Sequence, residues 1–213
     1  MNKIFTLIIL SCLLISLNAS AQKARLGIKS GVNVAWQSRS LEGFEASPVV
    51  AMHVTAFTEA QLSKHLFVQP GISLQGKGFS TEAADPNGSN SRVNMMYLEI
   101  PINLLYKWTL PNLHKLMIGG GPYAALGLNG KERDGSANVF RGVAGTDGYG
   151  NTDFGLNLIA GTELSSRFSL SLQQSIGLDN VAPAGHMFTG PADQPIKADI
   201  RNRVASVSIG YRF

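Results

Sequence analysis

Long runs in which apolar and polar residues alternate restrict what this chain can fold into. In residues 96–108 every second residue is apolar from Met96 onward, and the positions between them include Glu99 and Lys107. Successive side chains of an extended strand point to opposite faces, so a period of two indicates a strand with one apolar and one polar face. The chain is therefore predicted to be built from long two-faced strands.

Eight such runs occur, and the second is the weakest because its two faces are hard to tell apart. They cover residues 25–36, 49–60, 66–79, 96–108, 116–129, 153–164, 168–178 and 202–213. Their lengths, 11 to 14 residues, exceed the average of about 5–6 for globular strands and satisfy the ~9–11 that a tilted membrane-spanning strand needs. The pattern favours strands that cross a membrane.

The connections between the runs alternate in length. Short ones fall at residues 61–65, 109–114 and 165–167, and long ones at 37–48, 80–93, 130–152 and 179–201. Strands that run up and down place all long connections at one end, as in bacterial outer-membrane barrels with short periplasmic turns. The predicted fold is all-β: an eight-stranded antiparallel up-and-down transmembrane β-barrel in the cell outer membrane, with both termini in the periplasm.

An export signal is predicted at the beginning of the chain. Lys3 precedes the apolar residues 4–17, and Ala19-Ser20-Ala21 is a small-x-small cleavage site, so we expect cleavage between Ala21 and Gln22. This divides the chain into a signal peptide, residues 1–21, and a barrel domain, residues 22–213. The one cysteine, Cys12, lies in the signal, which excludes disulfides and thiolate chemistry in the mature protein. Lipidation of Cys12 is a less favoured alternative, since the apolar run continues past it.

Periodicity alone does not say which face of the strands is inside. A soluble secreted barrel of the lipocalin type, with the apolar face inward, is the alternative to the membrane barrel. The polar face is rich in glycine, alanine and serine, which suits a crowded interior better than a hydrated surface. The long strands also favour the membrane.

Several stretches resemble the outer-membrane β-barrel "porin family" proteins of the Bacteroidota, including the PorT-like type. The most specific is the run from Tyr97 to Ile102, YLEIPI. The others are residues 26–33 (LGIKSGVN), 68–75 (VQPGISLQ), 119–123 (GGGPY), 153–156 (DFGL) and 210–213 (GYRF). The resemblance implies a small barrel that the outer-membrane assembly machinery inserts by reading the last strand. We therefore take Tyr211 and Phe213, which end the apolar face of that strand, as the assembly signal.

Charged residues on the polar face are expected inside the barrel. An eight-stranded lumen is filled by side chains, and an unpaired buried charge is costly, so these charges should pair in a structural role that plugs the lumen. They are Arg25, Lys29, Lys77, Glu99, Lys107, Glu163 and Arg212.

Two details of this lumen can be predicted. If residues 80–93 form a hairpin loop, Gln75 lies opposite Glu99 and Lys77 opposite Tyr97, which makes Lys77 and Glu99 diagonal neighbours. At the other end Glu163 is expected to be the one acid among basic side chains.

The sequence contains no clear motif for catalysis or metal binding. His53 is the one histidine in a predicted strand. With a nearby serine it could form a Ser-His pair on the lipid-facing wall, as in lipid-modifying barrel enzymes, but no motif supports this. Asp147, Asn151 and Asp153 lack the spacing of a calcium loop, because Tyr149 interrupts it. Gly119-Gly120-Gly121 is followed by proline and is interpreted as a packing device. We predict no catalytic residue, no cofactor and no metal.

The sequence therefore predicts a structural or interaction protein that acts through long extracellular loops. A narrow channel and a lipid-modifying enzyme remain as alternatives. Expected partners are outer-membrane lipid, the assembly machinery and a protein that the sequence does not identify. The mature charge of +3, from 17 basic and 14 acidic residues once Lys3 is removed, is too small to indicate nucleic acid.

Overall fold

An antiparallel sheet closes on itself to form the body of the molecule. The computed structural model describes residues 24–39, 46–81, 91–111, 115–132, 138–140, 148–182, 187–189, 195–197 and 199–213. The eight long strands are β1 (Arg25–Arg39), β2 (Val49–Gln61), β3 (Leu66–Thr81), β4 (Ser91–Thr109), β5 (Lys115–Glu132), β6 (Thr152–Glu163), β7 (Phe168–Gly177) and β8 (Ile200–Arg212). Each pairs with the next along the chain, and β8 pairs with β1, which closes the barrel.

Three short strands accompany the barrel. Ala46–Ser47 pairs with the end of β3, and Met187–Thr189 pairs with Pro195–Lys197. Within the described ranges, no helix is long and apolar enough to cross a membrane. The predicted signal segment, with Ala21 and Gln22, lies outside the described residues.

The barrel is apolar outside and polar inside. Along β8, Ile209 is 64% exposed whereas Ser208 is 2% exposed, and the same alternation runs through the other strands. Closed pairing leaves no free sheet edge, so both faces of every strand are committed to either the lumen or the outer surface. The lipocalin-type alternative, which needs the apolar face inward, is therefore wrong.

The predicted eight strands are confirmed, and their ends differ from expectation mainly in β4. That strand begins at Ser91, five residues before the predicted start, because the hairpin with β3 continues up to the pair Thr81–Ser91. The ambiguous second run forms a complete strand, β2. The three short turns lie at one end, called here the turn end, and the long connections lie at the other, the loop end.

The register between β3 and β4 differs from the predicted one by two residues. Gln75 pairs with Tyr97, and Ser73, not Gln75, pairs with Glu99. A shift of two residues leaves every side chain on its original face, so the alternation of the sequence cannot distinguish the two registers. The extended pairing beside the loop selects the observed one.

Three prolines interrupt the hydrogen-bonded ladders at one level of the wall. Pro70, Pro101 and Pro122 lie in the adjacent strands β3, β4 and β5. The β3–β4 ladder skips Gly71 and Ile72, and the neighbouring ladders of β2–β3 and β4–β5 each skip two consecutive pairs at the same level. Proline has no N–H to donate, which accounts for these gaps. We call residues 70–72, 101–103 and 121–122 the proline band.

The glycine triplet of β5 lies beside the proline band. A Cβ added to Gly119 or Gly121 would overlap the carbonyl oxygen of Leu104 or Ile102, respectively, in β4. Side chains at these two positions would push β5 away from β4. The triplet therefore allows close approach of two strand backbones, in line with its interpretation as a packing device.

We expect the proline band to exchange amide hydrogens faster than the uninterrupted ladders. Loss of a buried hydrogen bond is worth about 1 kcal/mol, so exchange at Ile72 and Asn103 should be roughly five- to tenfold faster than at Val207 in β8. Hydrogen exchange of the protein in lipid nanodiscs, read by NMR, measures this. Equal protection at these amides would contradict the expectation.

Candidate functional site

The lumen is the part of the molecule where polar side chains converge, and it is filled in layers. From the loop end to the turn end these are an apolar layer, a first group of charges, a network of uncharged polar groups, a second apolar layer and a second group of charges. The second apolar layer consists of Leu105, Met117 and Ile159. Inward positions of all eight strands contribute, because alternation places every second residue inside.

The apolar layer at the loop end consists of aromatic and other apolar residues at inward positions, where the sequence pattern predicts polar side chains. Tyr97 and Tyr123 are fully buried, and they pack with Phe79 and Met95. Phe140, from the connection between β5 and β6, stacks edge-on against Tyr97 with ring centroids 5.3 Å apart. This apolar layer therefore covers the charges below it.

The first group of charges, called the upper charge cluster, consists of Lys77, Glu99 and Asp153. The Lys77 ammonium lies 2.8 Å from an Asp153 carboxylate oxygen and 3.2 Å from a Glu99 oxygen. The rings of Tyr97 and Tyr123 also face this ammonium, at 5.0 and 4.5 Å. One cation is thus held between two carboxylates and two aromatic faces, an arrangement suited to a desolvated charge.

His53 and Asn33 lie at the centre of the uncharged polar network. His53 Nδ1 is 2.7 Å from Asn33 Oδ1, and His53 Nε2 is 2.9 Å from Ser208 Oγ. Asn33 donates to Gln75 Oε1 and accepts from Ser206 Oγ. The serine, histidine and asparagine therefore stand in the order of a catalytic triad, and all three are at most 4% exposed.

Lys29 lies between this network and the turn end. Its ammonium is 3.4 Å from the side-chain oxygen of Gln173, and it is 9% exposed. Among the described residues, no carboxylate lies within ion-pair distance of it. Lys29 differs in this respect from the other buried cations.

The second group, called the lower charge cluster, is a closed ring of Glu59, Lys107, Glu163 and Arg212. The Lys107 ammonium is 2.6 Å from an oxygen of each glutamate, and Arg212 Nη1 is 3.0 Å from Glu59 and 2.6 Å from Glu163. All four side chains are about 5% exposed. Each charge therefore has two opposite charges as neighbours.

Two cavities adjoin the lower charge cluster. One, of about 20 Å³, lies above it and extends to Lys29. The other, of about 230 Å³, opens at the turn end and is also lined by Arg25, Lys64 and His65. The same four side chains line both cavities, so the lower charge cluster forms the partition between them.

The predicted interior charges occupy the lumen with one exception. Lys29, Lys77, Glu99, Lys107, Glu163 and Arg212 are buried. Arg25, the first residue of β1, is exposed at the turn end, where it lines the outer cavity. Its assignment to the barrel interior is corrected.

Two interior acids escaped the sequence-based prediction, Glu59 and Asp153. Glu59 belongs to the run whose faces were ambiguous, and Asp153, the first residue of the run 153–164, was considered only as a possible calcium ligand. With them, the described interior holds four carboxylates and the four cations Lys29, Lys77, Lys107 and Arg212. The predicted set held five cations and two carboxylates, and that excess of positive charge in a closed lumen was a signal that acids were missing.

The candidate calcium ligands and the candidate catalytic histidine lie in different parts of the barrel. Asp153 faces the lumen and Asn151 is exposed, whereas Asp147 lies outside the described residues. Among the residues described, no group of three His, Cys, Asp or Glu side chains could hold a metal ion. His53 faces the lumen, so the hypothesis of a Ser-His pair on the lipid-facing wall is wrong for this histidine.

Comparisons with known proteins agree with this architecture. The chain belongs to the family described as outer membrane protein beta-barrel domain, whose sequence profile matches residues 19–182. Its fold is similar to that of the outer membrane protein OprG from Pseudomonas aeruginosa, with a TM-score of 0.54 at 12% identity, covering 89% of this chain and 96% of that chain. No match was found among curated proteins.

Two further solved structures resemble the chain less closely. Neisserial surface protein A has a TM-score of 0.48 at 10% identity, covering 88% of this chain and 97% of that chain. The Outer Membrane Protein W of E. coli has a TM-score of 0.40 at 13% identity, with coverages of 91% and 100%. The protein is an outer-membrane β-barrel, and its predicted location in the outer membrane is confirmed.

We expect Lys77 to contribute more to stability than either of its acids. Lys77→Met leaves Glu99 and Asp153 buried together without a cation, at a cost of about 3–5 kcal/mol in the free energy of unfolding. Glu99→Gln should cost less, because Asp153 still pairs with the ammonium. Urea unfolding of the protein in lipid vesicles measures both.

Lys64→Met is the matched control, because Lys64 is exposed in a short turn. It should change the free energy of unfolding by less than about 0.5 kcal/mol. Equal effects of Lys77→Met and Glu99→Gln would refute the assignment of Lys77 as the shared cation.

Proposed function

We propose that this barrel is a non-catalytic structural or interaction protein with a plugged lumen, and that its long extracellular loops contact a partner. The observation that carries the proposal is the pairing of buried charges across the lumen. The Lys77–Asp153 pair joins β3 to β6, and the lower charge cluster joins β2, β4, β6 and β8, with distances of 2.6–3.0 Å between the charged atoms. Such ion pairs suit a lumen that is closed and not one through which solutes pass.

The size of the barrel supports a plug. Barrels of eight strands have interiors that side chains fill, whereas open aqueous channels belong to barrels of about 16 strands or more. The cavity of about 20 Å³ has room for roughly one water molecule, and the lower charge cluster separates it from the turn end. A solute would have to break buried ion pairs to pass.

The burial of the Ser-His-Asn group supports a non-catalytic role. His53 and Ser208 are buried and line neither of the two lumen cavities described above, so neither cavity gives a substrate access to the serine oxygen. A nucleophile needs a reacting atom within about 3 Å. We assign His53, Asn33 and Ser208 to the packing of the lumen.

The loop end is the part that we propose for partner contact. The Gly150 N–H donates to Val181 O at 3.2 Å, and the Val181 N–H donates to Ile200 O at 2.9 Å. These bonds join the connection between β5 and β6 to the one between β7 and β8. Two long loops thus start from a shared, buried base, which suits the presentation of a binding surface.

We also infer that the chain is of the PorT-like type of the Bacteroidota, on the motifs named above. Three adjacent strands, β3, β4 and β5, contain the motifs at residues 68–75, 97–102 and 119–123. Each motif supplies one proline of the proline band. Export by a cleaved signal at residues 1–21 and insertion by the assembly machinery belong to the same proposal.

The plug predicts that the wild-type protein conducts no steady ionic current. We expect planar bilayers containing the folded protein to show no discrete conductance steps, because charges and aromatic rings fill the lumen. Heat-modifiable gel mobility checks that the inserted protein is folded. Reproducible steps from folded protein would reject the plug and favour the narrow-channel alternative.

The assembly signal predicts a strong effect of the last residue. Phe213 stacks on Tyr211 with ring centroids 5.3 Å apart, and its N–H donates to Leu26 O at 2.9 Å across the closing seam. Deletion of Phe213 should lower the yield of assembled protein in the outer membrane at least about fivefold, equivalent to ~1 kcal/mol.

Shortening the connection between β5 and β6 within residues 141–147 is the control, because this change leaves both the closing seam and Phe140 intact. It should leave the assembled yield within about twofold of wild type. Equal losses from the deletion of Phe213 and from the shortened loop would contradict the assigned role of Phe213.

A further inference from the structure

A groove of about 580 Å³ runs over the lipid-facing wall of the barrel. It crosses β1, β8, β7, β6 and β5, and most of its lining is apolar. Two paired rows of outward side chains form it: Val34, Ala205, Gln174 and Leu158, and below them Val32, Val207, Leu172 and Ala160. Its volume is within the ~300–1,000 Å³ typical of sites that bind small molecules.

The groove is concave because short side chains lie between longer ones. Ala205 is flanked by Val34 and Gln174, and Ala160 lies beside Leu172. Outside the groove the outward positions of β8 carry larger groups, such as Ile209 and Tyr211. A flexible hydrocarbon chain fits such a depression better than a second protein wall, which would need a flat or complementary surface.

An arginine stands directly above the groove on the same outward face. Arg203 is two residues from Ala205 on β8 and is paired with Trp36 on β1 and Ile176 on β7. In the described part of the chain, no acidic side chain pairs with Arg203. Arg201, the next outward residue on the same strand, differs, because its guanidinium lies 2.8 Å from the Asp199 carboxylate.

The height of Arg203 matches the headgroup region of the outer leaflet. Tyr211, eight residues further along β8, packs against the rings of Phe168 and Phe213 at the turn end. At about 3.3 Å per residue and a tilt of roughly 35–45°, Arg203 lies roughly 20 Å above Tyr211, near the far edge of an apolar band about 25 Å tall. Arginine is tolerated on a lipid-facing surface at that edge, especially beside an anion.

We propose that this groove binds one phosphate-bearing lipid of the outer leaflet. The phosphate binds Arg203, whose planar guanidinium can donate two parallel hydrogen bonds to it, and an acyl chain lies in the groove below. Trp36 flanks the headgroup, a position in which an indole packs its ring on lipid and turns its N–H to the polar region. The site depends neither on the loops nor on the plug.

The test compares binding of two lipid probes to the full-length protein folded in detergent. The probes are bisphosphorylated lipid A and the same lipid A with its phosphates removed, and native mass spectrometry measures the bound fraction. We expect the phosphorylated probe to bind at least about tenfold more tightly, as one charged hydrogen-bonded contact of ~1.5–3 kcal/mol implies. Excess inorganic phosphate should not displace it, since the acyl chain contributes to binding.

Two variants and two matched controls locate the site. Arg203→Gln should weaken binding of the phosphorylated probe about tenfold, and Ala205→Phe, which fills the groove, should weaken binding of both probes. Arg201→Gln and Ile209→Phe introduce the same residues at outward positions of β8 outside the site and should leave binding within about twofold. Heat-modifiable mobility verifies folding, and Arg203→Gln removes no side chain from the packed wall.

Several outcomes would overturn the proposal. Equal binding of the two probes would exclude phosphate recognition, and equal losses from Arg203→Gln and Arg201→Gln would indicate general attraction between charges. Unchanged binding by folded Ala205→Phe would show that the groove holds no acyl chain. Displacement of the probe by inorganic phosphate would mean that the site recognises a free anion and not a lipid.

Discussion

Closure of the hydrogen-bonded ladder between β1 and β8 is the constraint on which the rest of the barrel depends. A backbone in hydrocarbon has no water to bond, so each N–H and C=O needs a partner from a neighbouring strand. Thirteen consecutive pairs, from Gly27–Arg212 to Arg39–Ile200, satisfy this need along the closing seam. Once the seam is closed, the alternation of each strand assigns one face to lipid and the other to a narrow lumen.

The narrow lumen in turn determines the chemistry of its side chains. Charges that leave water need partners, and here the described cations and carboxylates are equal in number and most of them are in contact. Aromatic rings fill the space that remains, as Tyr97 and Tyr123 do around Lys77. An interior of this kind suits a rigid support for loops better than a passage for solutes.

The wall of the barrel is not uniform. On the side of β3, β4 and β5, prolines interrupt the ladders, whereas on the side of β7, β8 and β1 the ladders are continuous. The lipid-facing groove and Arg203 lie on the continuous side. A rigid wall keeps the shape of a groove, so the side with continuous ladders is suited to hold one lipid in a fixed position. Local breaking of strand hydrogen bonds is expected instead at the proline band.

Much of the fold was determined by the sequence alone. The period of two, the lengths of the runs and the alternating connections predicted eight long strands in an outer-membrane barrel. In such a barrel, the alternation along each strand places Lys77 and Glu99 on the inward face. These features are local, since they depend on neighbours along one strand. The resemblance of residues 97–102 to a known family pointed in the same direction.

Other features were decided only by tertiary structure. Glu59 and Asp153 join the lumen charges because the closed barrel brings strands that are distant in the sequence, β2 with β8 and β3 with β6, close together around the lumen. The register of β3 and β4 was equally beyond the sequence, because a slip of two residues preserves both faces. The position of Arg203 above the groove likewise depends on how five strands align side by side. The alternation along a strand assigns each side chain to one face, and only closure of the barrel determines which other side chains it meets there.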